Sequence, residues 1–204
     1  MKNRQPQSRW LLTAAALFLL PAALLGSELP QHFELSQFSL DAPPRSGWNL
    51  TSQRTESIWF IRIPGDREFT MIGALLVTDV ARDFWPLADV SLAQVFINDY
   101  RQAAVRGGHG FSNENFESIT IGGRRFFASS ARLTKVHNLP VDDDFAGDEL
   151  VYVHIPVRPP GARPEVYLFL LSDFRRKPEP LEGNLRDFLS VLESFDPKDP
   201  MPPV

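Results

Sequence analysis

The sequence predicts an α+β fold, a largely antiparallel β-sheet flanked by two main helices. Three observations carry that expectation. Alternating or doubly apolar segments of strand length recur through residues 57–80 and 116–174. Gly122-Gly123 separates two of them at hairpin spacing. Two other stretches, near 91–106 and 184–195, repeat apolar residues at helical spacing. Amphipathic helices of this kind need a sheet to cover, which gives a layered domain.

The elements follow in order. Phe33, Leu35, Phe38 and Leu40 mark a short strand near 33–40, closed by a turn at Pro43-Pro44. Residues 47–53 (GWNLTSQ) begin a second strand and 57–64 (SIWFIRIP) a third, with Trp59, Ile61 and Ile63 on one face. Residues 70–80 (TMIGALLVTDV) are apolar on both faces, the pattern of a covered central strand. Ser91 with Gln94 three residues later fits a capping box, with Val90 and Val95 as a hydrophobic staple. Leu92, Val95, Phe96, Tyr100, Ala103 and Ala104 share a helical face, and Gly107-Gly108 ends the helix. The 116–121 and 124–136 segments form the Gly-Gly hairpin. Strands at 149–157 and 165–174 follow, and a final helix runs from an Asn184 cap through Phe195. Residues from 116 onward therefore form a meander of antiparallel hairpins.

The ends define the compartment. Lys2, Arg4 and Arg9 precede sixteen uncharged residues, 10–25, and the small pair Gly26-Ser27. A basic start, a short apolar run and a small-residue exit predict a signal peptide over 1–27. Sixteen residues interrupted by Pro21 fall short of the roughly 20 needed to cross a bilayer, so no stable membrane span is expected after cleavage. Residues 28–46 then read as an N-terminal extension and first strand, 47–196 as a single α+β domain, and 197–204 as a disordered tail. The chain has no cysteine, which excludes a lipobox, disulfides and thiolate chemistry. Loss of Lys2, Arg4 and Arg9 moves the net charge from −4 to −7. A mildly acidic domain argues against nucleic acid or anionic lipid as a partner. The expected location is periplasmic or secreted.

The segment FSLDAPPRSGWNL, 38–50, resembles the opening of the Mog1/PsbP-like families: a short strand, a proline turn, Gly-Trp and the next strand. FLSVLESF, 188–195, is similar to their closing helix. These motifs are short and apolar, so they concern packing. The resemblance implies a sheet flanked by helices and a non-enzymatic, accessory or partner-binding role, and no functional residue is carried over.

VDDDFAGDEL, 141–150, holds Asp142, Asp144 and Asp148, candidates for a hard-cation site. An EF-hand register fails, because its fifth and twelfth positions fall on Ala146 and Val153. The alternative is a polar connection between strands. His154 lies on a strand face with Leu150 and Tyr152, and His32, His109 and His137 lack metal spacing. Ser129 and Ser130 sit inside a strand, away from any nucleophile elbow. RGGHGF, 106–111, follows a helix and so cannot cradle a phosphate. No cofactor motif is found. Phe84, Trp85 and Phe111, aromatics in irregular segments, are the candidate partner-binding residues. The expectation is an exported, non-catalytic module that binds an envelope protein. The alternatives are a small-ligand carrier with an apolar pocket and a metal-dependent hydrolase using the 142–149 acidic cluster with His154 or His137.

Overall fold

The alternating segments pair into one large antiparallel sheet. This computed structural model describes residues 29–159 and 161–198, so the expected signal peptide, 1–27, and most of the expected tail lie outside the described residues. The elements are β1 (His32–Glu34), β2 (Phe38–Asp41), β3 (Trp48–Arg54), β4 (Ser57–Arg62), β5 (Phe69–Val77), α1 (Asp89–Arg106), β6 (Gly110–Ile121), β7 (Arg124–Val136), β8 (Leu139–Pro140), β9 (Phe145–His154), β10 (Val166–Arg176), α2 (Glu182–Ser194) and β11 (Asp196–Pro197). The sheet order is β3-β4-β5-β10-β9-β7-β6, with β8 beside β7. The expected meander is present, and β5 joins it by pairing with β10 over Val77↔Val166 to Phe69↔Phe174. That pairing makes β5 a central strand, as its two apolar faces require. At the β6–β7 turn, Gly122 and Gly123 have φ of 55° and 77°, the left-handed conformations of a two-residue hairpin.

Period-2 alternation sends each strand's side chains to two different cores. On one face, α2 and a small sheet of β1, β2 and β11 cover Phe60, Ile72, Phe126, Tyr152, Tyr167 and Phe169. Phe195, fully buried, meets the rings of Phe38, Tyr167 and Phe169 at 5.8, 5.0 and 4.8 Å. Such aromatic pairs contribute about 0.5–1.5 kcal/mol each beyond their buried area. On the other face, α1 packs Leu92, Ala93 and Ile97 over Trp59, Phe127, Val151, Val153, Leu168 and Leu170.

Local details differ from the sequence expectations where tertiary contacts decide. The 33–40 strand breaks at 35–37 into two strands that pair with each other, so all four apolar residues still point inward. Helix α1 begins two residues before Ser91, with Ala88 at the N-cap and no side-chain cap. Asp89 in the first turn instead places a negative charge at the positive end of the helix dipole. Its buried stripe is Leu92, Ala93, Ile97 and Arg101, rotated from the expected face. Asn184 is no cap either. It lies within α2, and its amide donates to Thr70 Oγ1 at 2.9 Å and Asp173 Oδ1 at 2.6 Å. Strand β9 begins at Phe145, so Asp148 and Glu149 are strand residues and only 142–144 remain in the connection.

Candidate functional site

The acidic segment is divided by the pleat of β9. Asp142 pairs with Arg67 at 3.3 Å, and Asp144 is exposed in the connection. Asp148 turns to the α2 side, where Arg175 Nη1 donates to it at 2.7 Å and to Asp173 at 2.6 Å. Glu149, one residue on, faces α1. Among the described residues no three His, Asp or Glu side chains gather in a group able to hold a metal ion. His154 stands among the rings of Phe126, Tyr167 and Phe195, and its Nδ1–H donates to the Arg125 carbonyl at 2.9 Å. Burial lowers its pKa, which favours the neutral ring. His137 packs edge-on against His109 at 5.3 Å, at the far end of β7.

The aromatic candidates are not brought together. Phe84 and Trp85 precede α1 and Phe111 follows it, and the 18-residue helix between them is about 27 Å long. Phe84 and Trp85 are half-buried against the α1-side core, and Trp85 Nε1 donates to the Val80 carbonyl at 2.9 Å. Phe111 is half-buried at the start of β6 and lines an open groove.

That groove, of about 490 Å³, runs between α1 and the edge strand β6 and is lined by Asn98, Arg101, Gln102, Val105, Arg106, Phe111 and Glu114. Helical spacing places the five α1 residues along one wall. Arg101 joins the groove to a buried polar cluster beneath it. Arg101 and Glu149 side chains are 5% and 2% exposed, with Nε and Oε1 3.9 Å apart. Arg101 Nη2 donates to Ser129 Oγ at 3.1 Å, and Tyr100 Oη–H donates to Glu149 Oε2 at 3.1 Å. Arg101 Nε and Nη1 and Glu149 Oε1 are buried without hydrogen bonds. Burial pushes the Glu149 carboxyl up to about 7, against the opposing pull of Arg101 and the Tyr100 hydrogen bond.

Sequence reasoning missed this pair. The signal was there: Arg101 falls four residues after Ile97 on the buried stripe, and Glu149 alternates with Val151 and Val153. Two opposite charges, each on an apolar face, mark elements that pack together.

Among solved structures, the chain is similar to the Ran-binding protein Mog1p of Saccharomyces cerevisiae, at 12% identity, over 83% of this chain and 96% of that chain, with a TM-score of 0.52. It is also similar to the cyanobacterial PsbP (CyanoP) of Synechocystis sp. PCC 6803, at 13% identity over 85% and 99% of the two chains, with a TM-score of 0.46. A Bacteroides thetaiotaomicron VPI-5482 structure matches 83% of this chain at 12% identity and a TM-score of 0.42, and the match spans about half (48%) of that chain. No family profile and no curated protein matches the sequence. The likeness to Mog1p is one of fold: this chain has a Mog1/PsbP-like α+β fold. Among the described residues no helix is long and apolar enough to cross a membrane.

Proposed function

We propose that this protein is an exported, non-catalytic accessory module that binds another protein of the bacterial cell envelope through the α1–β6 groove. The observation that carries this reading is the buried Arg101, held over an open groove with two N–H edges unmatched by hydrogen bonds. Buried polar groups in folded proteins are almost always satisfied, so an incoming partner group is a natural complement. The basic and apolar residues 2–27 support export. That Mog1p is Ran-binding supports protein recognition on this fold by analogy alone. The small-ligand carrier is the second reading. The groove's volume falls within the range of small-molecule sites, although its lining is largely charged and amide.

Site-specific photo-crosslinking in intact cells tests the proposal. Val105, 54% exposed in the groove, and Ile63, 65% exposed beyond β4, receive the crosslinking residue separately. A discrete protein adduct at 105 and none at 63 is expected. Adducts at both positions, or at neither, would remove the groove from the proposal. Fractionation and the mass of the recovered chain check export in the same cells.

A further inference from the structure

The groove floor carries a chemical preference. Arg101 presents a planar fork of five donors, of which the Nη2 edge is engaged by Ser129. The two carboxylates near its other edges stand too far for hydrogen bonds: Glu149 Oε1 is 3.9 Å from Nε, and Glu114 Oε2 is 3.6 Å from Nη1. Glu114 is 56% exposed and reaches in from β6. It occupies the approach to Nη1 without bonding to it. Arg101 Cζ lies over the Phe111 ring, 5.1 Å from its centroid, a cation–π contact on one side of the guanidinium. Arg106 adds a second cation to the same wall, and Asn98 and Gln102 add amides.

The geometry points to a carboxylate-recognition site. The groove takes the side-chain carboxylate of an acidic segment on the partner protein, which displaces Glu114 and accepts hydrogen bonds from Arg101 Nη1. This inference rests on the groove being the binding face. A carboxylate fits because it is an anionic acceptor, and a charge-assisted hydrogen bond in a desolvated site is stronger than a neutral one. Arg106 at the exposed rim attracts the acid on approach. Glu114 sets the affinity as an internal competitor, so the site discriminates against weak acceptors.

The test is an NMR titration of the isotopically labelled mature chain with three probes: a capped peptide of alternating glycine and glutamate, the same peptide with glutamine, and free glutarate. The glutamate peptide is expected to shift the Arg101 Nε–H resonance and the amides of Phe111 and Glu114, and the glutamine peptide to leave them in place. Glu114→Gln, at an exposed position, tightens binding about fivefold by removing the competitor, and Arg106→Gln weakens it about threefold, the scale of exposed ion pairs. Equal shifts with both peptides overturn carboxylate recognition and leave the binding face intact. Glutarate binding as tightly as the glutamate peptide overturns the protein partner in favour of a small acid. Absence of any shift at Arg101 overturns the site itself, a result separable from the cross-link at Val105.

Discussion

Glu149 shows how one buried residue ties packing to solution behaviour. Its carboxyl is held at about 7 by burial, well above an ordinary glutamate. A folded-state pKa above the unfolded value means the native state binds the extra proton. The stabilisation is full below the unfolded value of about 4.5 and is lost as pH rises through 7. Glu149→Gln keeps an oxygen for Tyr100 and cannot ionise. Urea unfolding at pH 5 and pH 8 is expected to show the variant gaining about 2–3 kcal/mol on the wild type between the two, because each pKa unit is worth about 1.4 kcal/mol. A constant gap would show that Glu149 is ionised throughout as Arg101's counter-ion. His154 works in the other direction: burial lowers its pKa, so its contribution is lost as pH falls below 6.5.

At the scale of elements, the pairing of β4 with β5 depends on a missing side chain. Gly73 lies opposite Trp59, and a Cβ there would come within 2.3 Å of the indole. Trp59 is 5% exposed and packed in the α1-side core. Gly73→Ala is therefore expected to cost about 2–3 kcal/mol, the upper range for overpacking, measured as a lower denaturation midpoint at unchanged slope. A loss below about 0.5 kcal/mol would mean that the indole relocates freely. Strand existence and the Gly-Gly hairpin were legible in the sequence because period 2 and positive φ are local properties. The helix starts were not. Ser91 and Asn184 are good caps by chemistry, but burial of Leu92 and Ala93 sets where α1 begins, and Asn184 is held inside α2 by Thr70 and Asp173. The groove was legible through Phe111 alone, since Arg101 and Glu149 acquire their meaning only when α1 lands on β9.

At the scale of the whole molecule, the small sheet makes the start of the chain part of the α2-side core. Phe33, Phe38 and Leu40 are 4%, 1% and 0% exposed, and β11 adds Asp196 and Pro197 to the same sheet. A chain truncated to begin at residue 42 uncovers Phe60, Tyr167 and Phe195 together. Calorimetry is expected to show loss of the cooperative transition, and a retained sharp transition would make β1 and β2 dispensable. The pairing of β2 with β11 also fixes the molecule's polarity. Both ends of the described chain leave from the face opposite α1. A tether attached at either terminus, natural or engineered, therefore acts as a stalk that holds the Arg101 groove outward, toward whatever the protein is set to meet.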